Sequence, residues 1–209
     1  MSKEKIVIVS GARTPIGSFL GTLKDVSLVE LSRIVIKEVV DRAGVQPTIV
    51  DEVIFGNVVG VGRDLGLACR GGAVQAGIPV EASAYTLNRA CSSGLQAIYN
   101  AAMQIRDGFS EVVVAGGFES MSRIPYALYN QRTGYRMGNG VVSDLLTEGL
   151  YDPYANVSMG MTAENIAAKF NITREDADRY AAQSHARAAK AIADGKFKGE
   201  IVPVVIKGR

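Results

Sequence analysis

The sequence predicts an α/β fold, a mostly parallel sheet with helices on both faces, and three observations point there. Strand-like runs at residues 5–10, 53–59, 86–87 and 111–117 alternate with helix-spaced segments, a β-α-β-α-β-α-β order that argues a parallel sheet. The first run, Lys5-Ile6-Val7-Ile8-Val9-Ser10, is continuously β-branched rather than alternating, as in a strand covered on both faces. Glycine is abundant, with 23 in 209 residues, and alanines cluster, which suits helices lying close on a sheet.

The first strand is followed by Gly11-Ala12-Arg13-Thr14-Pro15-Ile16-Gly17-Ser18-Phe19-Leu20-Gly21. A glycine-rich loop there invites a nucleotide reading, but neither G-x-G-x-x-G nor a P-loop lysine is present, so a structural loop is favoured. Ser27-Leu28-Val29-Glu30 reads as a capping box. Leu28, Leu31, Val35 and Val39 give the following helix its apolar stripe, and Gly44 ends it. After the second strand, residues 63–77 read as a polar loop and then a helix, closed by Pro79. Cys69 falls in that helix and is read as a buried structural residue; a redox pair with Cys91 lacks C-x-x-C spacing.

Ala84-Tyr85-Thr86-Leu87-Asn88-Arg89-Ala90-Cys91-Ser92-Ser93-Gly94-Leu95 reads as a short strand, a sharp turn and a helix starting at or just after Cys91. Leu95, Ile98, Tyr99, Ala102, Met103 and Ile105 follow close to helical spacing, and Gly108 stops the helix. A cysteine at such a junction faces the free N–H groups of a helix start, which favour a thiolate. The same amides can hold an oxyanion formed beside it. Ala90, Ser92, Ser93 and Gly94 leave room for a substrate. The competing reading of Cys91 is a small buried hydrophobe.

The segment Asn-Arg-Ala-Cys-Ser-Ser-Gly resembles the nucleophile segment of the thiolases, Asn-x-x-Cys-x-Ser-Gly. Three further motifs resemble the same family. They are Arg-Thr-Pro-Ile-Gly after the first strand, Glu119-Ser120-Met121-Ser122 after the fourth, and Met159-Gly160-Met161-Thr162-Ala163-Glu164-Asn165. The resemblance implies a layered thiolase-like fold, with an N-terminal α/β domain over residues 1–120 and a loop domain, apparently incomplete, over 121–209. It implies an acyltransferase that forms or cleaves 3-oxoacyl-CoA through an acyl-Cys91 intermediate. Leu150, Ser158 and Met159 would contact the acyl-CoA. Ser158 stands where short-chain biosynthetic members carry His, which loosens the case for strict acetoacetyl-CoA specificity. Residues 132–138 resemble the hairpin by which many thiolases form tetramers; an ordinary surface excursion is the alternative.

Thr173 is read as the N-cap of a last long helix, with Ala177, Tyr180, Ala181, Ala188, Ala191 and Ile192 as its buried stripe and Gly195 as its stop. His185, the single histidine, tempts as a general base but lies among polar helix positions, where a solvated role is favoured. Residues 201–206 read as a final strand, whose unpaired edge would invite association.

A thiolase subunit is about twice this long. Its C-terminal half supplies an Asn-Glu-Ala-Phe element, a Gly-His-Pro histidine that activates the nucleophile, and a Cys-x-Gly cysteine that moves the α-carbon proton; the chain is read as carrying none of them. The resemblance therefore implies a nucleophile without its base, inactive alone, in a fragment or in one half of a split enzyme completed by a separate C-terminal half. The alternatives are a non-catalytic acyl-CoA-binding or scaffolding half, and a ketoacyl synthase-like condensing enzyme.

Composition limits the partners. Hydrophobic residues are 47% and charged residues 21%, as in a folded domain rather than a disordered chain. A net charge of +2 without a basic run argues against nucleic acid. No apolar run approaches transmembrane length, so no membrane partner is expected. Two cysteines and no secretory signal predict a reducing, cytoplasmic setting. One histidine and two separated cysteines give no basis for a metal. No cofactor is expected, CoA thioesters being substrates. The family resemblance implies fatty acid metabolism and a homodimer or tetramer in the full-length protein.

Overall fold

The computed structural model describes residues 5–62 and 65–206. They divide into two compact units, Met1–Ile124 with Glu200–Arg209, and Pro125–Gly199.

The first unit is built on three parallel strands, β1 (Glu52–Gly56), β2 (Ser83–Leu87) and β3 (Val113–Gly117), in the order β2-β1-β3. The register is Glu52 opposite Ser83 and Val113, through Gly56 opposite Leu87 and Gly117. The central strand β1 is buried throughout. Its alternation sorts the layers: Val53 and Phe55 pack with Ile36, Val40, Cys69 and Ala73 of α1 (Leu28–Ala43) and α2 (Ala68–Gln75), while Ile54 packs with Ala97 and Ala101 of α3 (Ser93–Arg106). Helices thus cover both faces, as the sequence predicts for this class.

Local signals set the helix ends. Ser27 Oγ accepts from Glu30 N–H, and Gly44 ends α1 in the left-handed region at φ 68°. The Glu30 carboxylate, expected to close the capping box, is gripped by Arg33 Nε and Nη2 at 2.7 and 2.6 Å. The buried stripe of α1 is Leu28, Ser32, Ile36 and Val40, one position round from most of the expected one; Val35 and Val39 sit at its flank. Ser32 is the reason. Its Oγ donates to Val29 O and Ala68 O, and α2 comes so close that a Cβ on Gly72 would lie 1.9 Å from that oxygen. Small residues let two helices touch where larger apolar ones cannot.

The same holds on α3. Its buried residues are Ser93, Ala97 and Ala101, whereas Leu95, at 72% exposure, Ile98 and Tyr99 face outward. The residues at helical spacing form the helix as expected but split by burial: Ala102, Met103 and Ile105 are half-buried while Leu95, Ile98 and Tyr99 are exposed. Close approach explains this: a Cβ on Gly56 would meet Ser93 C at 2.5 Å, so only small side chains fit beneath the helix. Gly108, at φ 77°, follows the helix end as expected.

Residues 5–10 and 201–206 are not strands, contrary to expectation. The segment 201–206 instead meets the loop after residue 10, through a single bridge of Ile201 with Arg13, with Arg13 N–H donating to Glu200 O and Val202 N–H to Arg13 O. Ile8 is 83% exposed and Val205 84%. β-branched composition supplies the propensity for a strand, but a ladder also needs an in-register neighbour and a covering layer. Residues 63 and 64 of the expected polar loop lie outside the described residues.

The second unit contains short antiparallel pairs, β4 (Tyr126–Ala127) with β5 (Ser143–Asp144) and β6 (Tyr151–Asp152) with β7 (Val157–Ser158), and the helices α4 (Leu145–Gly149), α5 (Met159–Phe170) and α6 (Arg174–Ala193). Residues 132–138 form turns and bends, which fits the surface excursion rather than the hairpin among the two alternatives; the strands that close this excursion are β4 and β5. Thr173 caps α6 in a full capping box with Asp176. The expected buried stripe of α6 is absent, with Tyr180 and Ile192 both exposed. Alanine spacing defines a face, but none of the described residues of this unit buries it. Among the described residues no helix is long and apolar enough to cross a membrane.

Candidate active site

Cys91 sits between β2 and α3, two residues before the helix starts, with its side chain exposed. The chain reverses there through Ala90, held in the left-handed region at φ 48°. Four contacts pin the turn. Ala90 N–H donates to Asn88 Oδ1 at 2.9 Å, and Arg89 N–H to Ser93 Oγ at 2.8 Å. Ser93 Oγ donates on to Ala90 O at 2.6 Å, and Ser92 Oγ to Arg89 O at 2.8 Å. Buried Ser93 is therefore the peg around which the turn winds.

The helix start does not leave all its donors free, as the sequence reading supposes. Ser92 N–H and Ser93 N–H are taken by Arg89 O and Ala90 O. Gly94 and Leu95, the next positions of the first turn, have N–H groups without a partner four residues back inside the helix. Arg89 reaches forward, its Nη1 donating to Gln96 Oε1; Gln96 Nε2 donates to Asn100 Oδ1 at 2.6 Å, and Asn100 Nδ2 to Tyr85 OH at 3.2 Å. The result is an accessible thiol on a rigid, polar-braced corner.

Cys69 is the opposite case. It is fully buried in α2, with Sγ donating to Val53 O at 3.6 Å. Burial pushes its thiol up to about 12, a backbone hydrogen bond from Phe55 opposing the rise. Cys69-Arg70-Gly71 does spell Cys-x-Gly, a match the sequence reading passes over. A protonated, enclosed thiol cannot take a proton from a substrate, so the pattern is fortuitous. Both cysteines are free, and no disulfide joins them.

Leu150, Ser158 and Met159 come together in the second unit. Met159 N–H donates to Leu150 O at 3.1 Å, Ser158 pairs with Tyr151 across the β6–β7 ladder, and Ser158 Oγ caps α5 by accepting from Met161 N–H at 3.4 Å. Leu150 and Met159 are both about half exposed. Asn156, left-handed at φ 56°, and Asp152, whose Oδ1 accepts from Tyr154 and Ala155 N–H, close the hairpin that carries them. Two cavities among the described residues lie elsewhere, one of about 230 Å³ between Ser10–Thr14 and β3, another against Pro15–Leu23. His185 lies on the outside of α6. Among the described residues no cluster of metal-binding side chains occurs.

The sequence places Asn88, Ser93 and Glu119 in its motifs without showing the contacts they make. The signal for Asn88 was present: an asparagine two residues before a turn amide is a recurrent backbone cap.

Residues 6–209 match the family described as Thiolase, N-terminal domain. The chain belongs to the thiolase family. Its similarity to an acetyl-CoA acetyltransferase of Syntrophomonas wolfei is 44% identity over 214 residues, covering 100% of this chain and 53% of that protein. To the beta-ketothiolase BktB of Cupriavidus necator it is 47% identical, with coverages of 100% and 53%. Among solved structures, the Bacillus anthracis acetyl-CoA acetyltransferase superposes with a TM-score of 0.93 at 48% identity, covering 97% of this chain and 51% of that one. Human mitochondrial 3-ketoacyl-CoA thiolase in complex with CoA gives 0.91 at 40%, with coverages of 94% and 50%. The thiolase chain described here thus spans about half the length of the relatives it matches. Both the family and the thiolase-like α/β fold expected from the sequence are found.

Proposed function

We propose that this chain carries the nucleophile of a thiolase-type acyltransferase, with CoA thioesters as substrates and no further cofactor. The observation that carries the reading is the exposed Cys91 thiol on a braced strand-to-helix corner, within a thiolase N-terminal domain. In the forward sense the Cys91 thiolate attacks the thioester carbonyl. The tetrahedral oxyanion collapses, the C–S bond to CoA breaks, and CoA leaves as its thiolate, which takes up a proton. Acyl-Cys91 then accepts the α-carbanion of acetyl-CoA; the new C–C bond yields 3-oxoacyl-CoA and Cys91 is released. Thiolysis runs the same steps backwards.

Leu150, Ser158 and Met159 are proposed to contact the acyl-CoA. Their shared hairpin and half-exposed apolar side chains support this. The base is proposed to come from a C-terminal half. Cys69 is enclosed and protonated, and His185 stands on an exposed helix. The relatives' names, acetyl-CoA acetyltransferase and beta-ketothiolase, support the acetyl unit as one of the groups transferred. Assembly into a homodimer or tetramer and a cytoplasmic role in fatty acid metabolism belong to the same proposal.

Mass spectrometry tests it. The chain is incubated with acetyl-CoA, alone and with a thiolase C-terminal half. An acetyl group on the Cys91 peptide only in the complemented sample is the expected result, lost in Cys91→Ala. No adduct in either sample would leave the non-catalytic scaffolding reading in its place.

A further inference from the structure

We infer that Glu119 is a positioning residue for Cys91, acting through a relay of hydrogen bonds across the C-terminal ends of the strands; its catalytic meaning rests on Cys91 being the nucleophile. Glu119 lies two residues after β3 and gathers three donors from the segment that leaves β1. One carboxylate oxygen accepts from Val58 N–H at 2.8 Å. The other accepts from Asn57 Nδ2 at 2.8 Å and Val59 N–H at 3.2 Å. Hydrogen bonds to an ionised carboxylate are about twice as strong as neutral ones. Asn57 is buried and tied on both sides: Nδ2 donates also to Phe118 O at 3.1 Å, and its N–H to Leu87 O at 3.0 Å. The segment 57–59 is therefore fixed from one end.

The other end reaches the nucleophile. Val58 O accepts from Asn88 Nδ2 at 2.9 Å, which orients the Asn88 amide so that Oδ1 accepts from Ala90 N–H at 2.9 Å. Ala90 occupies the left-handed region, which is unfavourable for a non-glycine residue and persists only where the surroundings impose it. Cys91 is the next residue. The order Glu119, Val58, Asn88, Ala90, Cys91 is thus a continuous path, and Glu119 makes none of these contacts with Asn88, Ala90 or Cys91 itself. A Glu119 that only ties down its own loop would leave the Ala90 amide as it is.

The test uses the chain as it stands, with Glu119→Gln, Asn88→Asp and the double variant. The glutamine NH2 opposes donors that the carboxylate accepts. The aspartate keeps the acceptor for Ala90 N–H and loses the donor to Val58 O. Two readouts are taken: hydrogen exchange at the Ala90 amide by NMR, and iodoacetamide alkylation of Cys91, with buried Cys69 as the internal reporter of opening. In Glu119→Gln, Ala90 exchange should rise about tenfold, the order expected for one weakened hydrogen bond. Cys91 alkylation should slow severalfold while Cys69 stays unlabelled. In the Asn88→Asp background, Glu119→Gln should change neither readout further, and Glu111→Gln should match the parent chain throughout.

Unchanged Ala90 exchange, an unchanged Cys91 rate, additive effects in the double variant, or Cys69 becoming labelled with Cys91 would each overturn the inference. Neither readout needs acetyl-CoA. Failure to acetylate Cys91 even with a C-terminal half present refutes the acyltransfer reading while the relay is still decided, and failure of the relay leaves acetylation to be decided by its own experiment.

Discussion

The parallel-sheet unit and the segment Pro125–Gly199 each carry three α-helices among the described residues but rest on different foundations. In the first, β1 is buried along its whole length, and the helices on either side of it meet fully buried residues, from Leu28 and Ile36 to Ala97. In the second, α5 and α6 bury no residue, yet each carries a complete end signal: Ser158 and Thr173 as N-caps, Asn171 in the left-handed region at φ 52°. The first region is held by packing and the second by local chemistry. The chemistry follows the same division. Cys91 is positioned by a corner rooted in the packed sheet, whereas Leu150, Ser158 and Met159 ride on a hairpin closed by its own turn residues.

Matched truncations should break or sharpen this contrast. Ile54→Ala removes a fully buried side chain between β1 and α3 and should cost about 2–5 kcal/mol, read from urea unfolding. Gly56→Ala places a methyl 2.5 Å from Ser93 C and should cost about 1–3 kcal/mol, with α3 displaced and Cys91 alkylation altered at the same time.

The buried thiol offers a pH test of the packed region. Its folded pKa is raised from an ordinary 9.0 to about 12, so the folded chain keeps a proton that the unfolded chain gives up. The stability it contributes is complete below pH 9 and is lost as pH rises from there toward 12. At most about 1.4 kcal/mol per pH unit should separate the parent chain from Cys69→Ala in that window, measured as the difference in unfolding free energy.

Effects in the second region should be smaller and local. Thr173→Ala should cost about 1 kcal/mol of α6 stability, read as lost helical circular dichroism without loss of the sheet unit. Asp176 is held below the usual carboxylate range by Thr173 and then Arg179, so its contribution to the cap is present above that range and lost as pH falls through the lowered value. Ile192→Ala, the counterpart of Ile54→Ala on an exposed helix face, should stay within about 0.5 kcal/mol. Equal costs for the two isoleucine truncations would show that the second region has a core after all.

What the chain's own letters could tell was whatever is written locally. Ser27, Gly44, Gly108 and Thr173 mark helix ends because a cap acts within one turn, and the Cys91 segment announces its corner within a dozen residues. The buried faces of α1 and α6 differ from the expected stripes, because apolar spacing identifies a face but not what approaches it. Close contact through Gly56, Gly72, Ser32 and Ala97 put small residues inside on α1 and α3 and left Leu95 and Tyr99 outside. The strand-like ends at 5–10 and 201–206 show the same limit, since a ladder is a property of two segments.

Sequence alone therefore determined the family, the α/β class, the cysteine at the corner and the helix caps, all of which depend on neighbours along the chain. Only the tertiary structure decided which helix faces are covered, and that Glu119 reaches toward Ala90 through Val58 and Asn88. Those outcomes depend on residues dozens of positions apart meeting at the distances given by packed layers, which no local pattern encodes.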